Sequence, residues 1–179
     1  MSDRNRDARA YILAATICQA ADVSALRQEV AGLRLKGQQK LHWRDESEKR
    51  RRQIVEFLAL LPLEHLVLVR NGHPDDRPER RRRHAMERLL YELDQAKVRE
   101  VTFEARDRHN NNRDREMLNA FRSRRVVSLD LRTSHVGGRD DAMLWVADAV
   151  CGVTVKQRTG DVTYLEAIQA RSAVRIIEI

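Results

Sequence analysis

Cysteine is scarce in this chain. Cys18 and Cys151 lie far apart, each in apolar surroundings and without the short spacing of a metal-binding pair. That excludes a disulfide framework or cysteine-based zinc site and reads as two buried, reduced thiols. A cytosolic compartment fits. Long apolar runs are missing too. The longest, Tyr11 to Ala21, falls well short of the roughly 20 residues that a membrane helix needs, so no membrane partner is expected. The opening Met-Ser-Asp-Arg-Asn-Arg-Asp lacks the apolar core of a secretory leader. There is no glycine-rich phosphate loop. Serine, histidine and aspartate are too scattered to compose a nucleophilic triad. Aromatic residues make up 4% of the chain and rarely stand between the basic ones, which argues against a base-stacking platform for single strands.

What is present is charge. The 179 residues carry 34 basic and 27 acidic side chains, a net charge of +7. The basic set is 29 Arg against 5 Lys. GC-rich coding alone yields such an arginine bias, but the balance also suits a polyanionic partner, nucleic acid first. Hydrophobic residues at 42% are enough for one folded domain with one substantial core.

The pattern along the chain alternates between strand-like and helix-like segments. Residues 9–18 read as a buried strand. A helix follows from Asp22, with Leu26, Val30 and Leu33 on one face. Residues 40–43 read as a short extended piece. Ser47 is placed to cap the next helix, where Ile54, Phe57, Leu58 and Leu61 recur at helical spacing before Pro62. Residues 65–70 form a strand, 71–78 a loop, and a long helix runs to about Ala96 on Met86, Leu89, Leu90 and Leu93. Residues 99–104 are a strand, 113–122 a helix, 126–131 a strand and 134–140 a loop. Helices over 141–156 and 164–168 and a β-like run over 173–179 complete an α/β chain.

Acidic residues give the sharpest chemical signal. Glu104 ends the strand-like Val101-Thr102-Phe103-Glu104, with Asp107, His109 and Asp114 following. Strand ends are where α/β folds place ligands. Asp148 is embedded in the apolar Leu144-Trp145-Val146-Ala147-Asp148-Ala149-Val150-Cys151. An acid there is costly unless paired with an arginine or bound to a cation. Asp141 lies seven residues earlier, about two helical turns, and so on nearly the same side. Such carboxylates suit Mg²⁺ or Mn²⁺, either one ion or a pair that activates water and steadies a leaving oxygen. The same acids also have ordinary readings. Asp114, Asp140 and Asp141 favour the first turn of a helix, and Asp107 lies in a solvated loop.

The basic runs Lys49-Arg50-Arg51-Arg52 and Arg80-Arg81-Arg82-Arg83 lie near helix starts, balanced by neighbouring acids. Arg51, Arg106 and Arg139 are the candidates to hold phosphate oxygens. His42 in His42-Trp43-Arg44-Asp45-Glu46 could serve as a proton shuttle or a phosphate contact.

Three segments carry a family resemblance: Lys40-Leu41-His42-Trp43-Arg44-Asp45-Glu46-Ser47 with Lys49-Arg50-Arg51, Val101-Thr102-Phe103-Glu104 with Asp107, and Leu144-Trp145-Val146-Ala147-Asp148-Ala149-Val150. In these the chain resembles the bacterial family called domain of unknown function 3800. The resemblance implies an RNase H-like mixed sheet with helices packed on it, in a single domain. It implies a divalent-metal-dependent nuclease or phosphodiesterase with Glu104 and Asp148 as metal ligands and Asp141 and Asp107 behind them. The family opens with an apolar strand ending Asp-Glu-Ser, whose aspartate is a central ligand. Here only Met1 and Ser2 precede Asp3, and Asp3-Arg4-Asn5 stands in that place. Either the strand begins upstream, or this version has lost a ligand and Asp3 is its weak stand-in. The alternatives are an inactive nucleic-acid-binding or complex-forming protein on the same fold, and a hydrolase of small phosphorylated molecules.

Overall fold

The computed structural model describes the backbone of residues 2–3 and all of residues 10–72 and 76–179. In chain order come β1 (Ser2–Asp3), β2 (Ala10–Ile17), α1 (Val23–Ala31), a 3-10 turn at Trp43–Asp45, and α2 (Glu48–Leu58). Next are β3 (Glu64–Asn71), α3 (Pro78–Gln95), β4 (Glu100–Glu104) and α4 (Arg108–Ser123). The chain ends with β5 (Arg132–Val136), α5 (Met143–Arg158), α6 (Thr163–Gln169) and β6 (Ala173–Glu178).

The apolar runs at β2 and β3 pair antiparallel along their whole length, from Ala10 opposite Asn71 to Ile17 opposite Glu64. Strands apolar on both faces need cover on both sides. Alternation supplies it. Ile12, Ala14, Val67 and Val69 point into one cluster with residues of α1, α2, α5 and α6. Tyr11, Leu13, Leu66 and Leu68 point into another with α3, Phe103 of β4 and Phe121 of α4. β6 joins β3 in parallel, and β1 lies antiparallel to β2 with Asp3 opposite Ile12.

The result is a mixed α/β architecture, but the described strands do not form one continuous sheet. Four are ordered β1-β2-β3-β6, while β4 and β5 form a separate parallel pair, Glu104 opposite Val136, joined through α4. α5 packs across β2 and β3 and reaches β1 and β4, so both sheets share one helix. No helix among the described residues is long and apolar enough to cross a membrane.

Local signals placed most boundaries. Ser47 caps α2, its hydroxyl accepting from the Arg50 N–H at 3.3 Å. Pro78 occupies the first turn of α3, where its missing N–H costs nothing. Asp22 stands at the start of α1 without a capping hydrogen bond. Residues 73–75 of the expected loop lie outside the described residues.

Three expectations need correction. The helix expected at 113 begins at Arg108, because the Asp107 carboxylate accepts from the Asn110 N–H at 2.9 Å and starts it earlier. The strand expected over 126–131 is a loop. Arg125 turns left-handed at φ 58°, and the Val126 N–H closes the helix end on the Phe121 carbonyl at 2.9 Å. Val127 and Leu131 plug the core from this loop, Leu129 is 82% exposed, and Ser128 is held by Asp94. The strand forms instead over Arg132–Val136, overlapping the start of the expected 134–140 loop, because β4 offers a partner there.

Asp114 is the third correction. It is no helix cap but a fully buried carboxylate in the middle of α4. Arg82 of α3 grips both its oxygens, at 3.0 and 2.6 Å, and Arg106 adds a third bond at 2.7 Å. Arg82 also donates to the Tyr11 hydroxyl at 3.0 Å. Burial alone would raise the Asp114 carboxyl; the two guanidinium groups outweigh it and hold it below the ordinary value. Removing one member of such a pair strands the other charge in the core. Asp114→Ala is therefore expected to lower stability by about 3–5 kcal/mol in urea unfolding.

His65 of β3 is buried, with Nδ1 3.2 Å from the Thr16 hydroxyl. Burial pushes its imidazole from 6.5 down to about 4. The unfolded chain then binds the extra proton more readily than the folded one between those values. Stability should fall as pH drops from about 6.5 to about 4, by about 3 kcal/mol from this residue. His65→Leu should flatten that limb in a pH series of unfolding curves. His84 and His135, also held low by burial, leave a residual slope.

Candidate functional site

The site is organised by the segment between α1 and α2. Leu41 is 2% exposed and fixed in the core. His42 is extended, at φ −132° and ψ 113°. In an extended chain, residues two apart point the same way. Lys40 and His42 accordingly leave the core on one side, and each meets an acid.

His42 Nδ1 lies 2.7 Å from Asp148 Oδ2, and the Trp43 backbone N–H donates to the same oxygen at 3.0 Å. Trp43 can lie this close to α5 because Gly152, one turn past Asp148, has no side chain. A Cβ at Gly152 would stand 1.9 Å from Trp43 Cδ1. Asp148 thus occupies an apolar helix by satisfying a histidine and a backbone donor, not a guanidinium.

Lys40 Nζ donates to Glu104 Oε1 at 2.9 Å, at the end of β4. Gly138, after β5, lets this pair approach: a Cβ there would be 2.2 Å from Glu104 Oε1 and 3.2 Å from Lys40 Nζ. Trp145 closes the circuit. It lies on α5 one turn before Asp148, and its Nε1 donates to the Gly138 carbonyl at 2.5 Å. Glu104, Lys40, His42, Asp148, Trp145 and Gly138 therefore form one ring of contacts. Glu104 Oε2 and Asp148 Oδ1 accept no hydrogen bond from the described residues.

The other expected site residues are placed elsewhere. Asp141 precedes α5 instead of sharing its face. Arg27 of α1 holds both its oxygens, at 2.9 and 2.8 Å, and the Met143 N–H adds a bond at 3.0 Å. Burial would raise this carboxyl, but Arg27 and the Met143 N–H keep it below the ordinary value. Asp107 is consumed in capping α4, where the Asn110 backbone and side chain hold its carboxyl low. Arg106 is spent on Glu79, Asp114 and the Asn110 carbonyl. Arg51 holds the Trp43 and Arg44 carbonyls and Glu48, with its guanidinium 5.4 Å from the Trp43 ring centre. Of the three candidate phosphate-binding arginines, only Arg139 remains exposed with a neutral partner, Gln39 at 2.8 Å. Asp3 is fixed only by its backbone position opposite Ile12; its side chain lies outside the described residues.

Sequence reading overlooked Lys40, Gly138 and Trp145 as parts of the site. Lys40 stands two residues before His42, and that spacing was the available signal. Nothing local marks Gly138, whose importance depends on Glu104 arriving from another strand.

Among the described residues no group of three His, Cys, Asp or Glu side chains is arranged to hold a metal ion. Glu104 and Asp148 are each hard-oxygen donors, and each has one oxygen that accepts no hydrogen bond from the described residues. Mg²⁺ takes donors of this type, commonly one or two carboxylates with water and phosphate completing the shell. They do not supply a two-ion clamp.

Gly152→Ala tests the docking that shapes the site. The added methyl must displace Trp43, so a loss of about 1–3 kcal/mol is expected in urea unfolding. The native tryptophan emission should shift with it, since Trp43 and Trp145 are the two tryptophans.

Protein-family models, curated proteins and solved structures offer no match to this chain, so the functional argument rests on the chemistry of this ring.

Proposed function

We propose that the ring around Glu104 and Asp148 is the active site of a divalent-metal-dependent nuclease or phosphodiesterase with an RNase H-like arrangement. The observation that carries this reading is that two acids from separate elements meet Lys40 and His42 of one segment, and that Glu104 Oε2 and Asp148 Oδ1 accept no hydrogen bond from the described residues. The strand arrangement supports it as well. The antiparallel β1–β2–β3 part of the four-stranded sheet and the separate parallel β4–β5 pair both contact one helix, α5, which carries Asp148. β1 brings the backbone of Asp3 to the sheet edge that α5 also reaches.

Glu104 Oε2 and Asp148 Oδ1 would hold Mg²⁺ or Mn²⁺. When bound, such an ion lowers the pKa of water and offsets charge on a phosphate. The chain's own groups do the positioning. Lys40 can exchange its bond to Glu104 for one to a phosphate oxygen, since its side chain is 36% exposed. Asp148 fixes the His42 ring through Nδ1, so Nε2 would be the nitrogen left to meet a substrate. Trp145 holds the Gly138 loop, which lies against Glu104, to α5.

One observation favours a second reading, a nucleic-acid-binding or complex-forming protein without turnover. Each acid already has a basic partner, Lys40 or His42, that can balance it without a metal.

Purified protein incubated with labelled DNA and RNA and Mg²⁺ or Mn²⁺ should cleave one of them. Asp148→Asn and Glu104→Gln should each lose roughly a hundredfold in rate, about 2.7 kcal/mol of transition-state stabilisation. Binding without cleavage, unchanged by Asp148→Asn, would establish the second reading. Turnover of free nucleotides with polymers untouched would mark a small-phosphate hydrolase.

A further inference from the structure

Two guanidinium groups converge on Gln39 with no carboxylate between them. Arg139 Nη1 donates to Gln39 Oε1 at 2.8 Å, and Arg34 Nη1 reaches the Gln39 carbonyl at 3.5 Å. The next residue is Lys40, already on Glu104. Lys36 stands exposed on the same loop. Among the described residues, Arg34, Lys36 and Arg139 form no ion pair. Some exposed arginines elsewhere do, such as Arg88 with Glu92, Arg99 with Asp130, and Arg124 with Glu87, while others, such as Arg83 and Arg125, do not; what sets Arg34 and Arg139 apart is that they share Gln39, the neighbour of Lys40. Asp140, the acid beside Arg139, has its carboxylate turned back over Gly137.

This loop is pinned in place. Arg50 donates to the Leu33 carbonyl. The Leu35 N–H donates to Gln38 Oε1, and Gln38 Nε2 donates to Glu46, both at 2.9 Å. Gly37 takes φ +86°, which a side chain would resist. Holding like charges together without a counter-ion is unfavourable, and a bound anion relieves it. A single phosphate in the acid ring would not need these cations. A chain of phosphates entering the ring would meet them in turn.

We infer that Arg34, Lys36 and Arg139 form a track for the phosphodiester backbone of a nucleic-acid strand leading to Glu104 and Asp148. The inference rests on reading that ring as a phosphodiester site, and it makes the substrate a polymer.

Binding of a labelled oligonucleotide in EDTA, followed by anisotropy across a salt series, tests the track apart from the chemistry. Each phosphate contact contributes about 0.7–0.9 to the slope of log K against log salt. The Arg34→Gln/Arg139→Gln double variant should therefore flatten the slope by about 1.5 and weaken binding about tenfold near 0.1 M salt. Arg83→Gln, an exposed change on α3, should leave both unchanged, and unfolding midpoints should stay with the parent. Lost cleavage with this salt response intact would count against the ring and not the track. A double variant with parental affinity and slope would overturn the track, as would an equal loss in Arg83→Gln.

Discussion

The close seat of Trp43 on α5 is the constraint on which the site depends. It requires the bare backbone at Gly152 and the burial of Leu41 beside it. Once that segment is docked, the Trp43 N–H and His42 fall on Asp148, and Lys40 is thrown toward the end of β4. Apolar burial thus sets the position, and the polar contacts follow from it. The order is physically sensible, because packing fixes geometry over many contacts while a single exposed ion pair contributes little.

Arginine dominates the basic residues, and the structure divides them by task. Arg82 and Arg106 share the buried carboxylate of Asp114, tying α3, α4 and β2 together. Arg27 joins α1 to the start of α5 through Asp141. Arg51 fastens the segment that carries His42. These side chains use the planar fork of arginine to satisfy two acceptors at once, which lysine does not do. Arg34 and Arg139 instead meet Gln39, a neutral residue next to Lys40.

Much of the fold was legible locally. The apolar runs of β2 and β3, the Ser47 cap and the apolar stripe of α3 act over a few residues, and each was placed from sequence. The misplaced strand at 126–131 shows the limit. Its Val-Val-Ser-Leu-Asp-Leu pattern satisfies β-propensity, yet the segment closes a helix and plugs a core, while polar Arg132–Val136 pairs with β4. Strand identity depends on the partner more than on intrinsic preference. Asp148 was legible for a different reason: an acid inside an apolar helix demands a partner wherever the helix packs. Asp114 was misread because a position one residue past the expected helix start at 113 looks like a first-turn acid.

Sequence by itself determined the alternation of strands and helices and the presence of awkward acids at 104 and 148. Tertiary structure decided which base each acid meets. Arg82 and Asp114 are 32 residues apart, Lys40 and Glu104 64, His42 and Asp148 106, and Arg27 and Asp141 114. Helical periodicity, capping and strand alternation are short-ranged and can be read along the chain. Charge pairing across such separations is settled only when packed helices and strands bring the groups within a few ångströms.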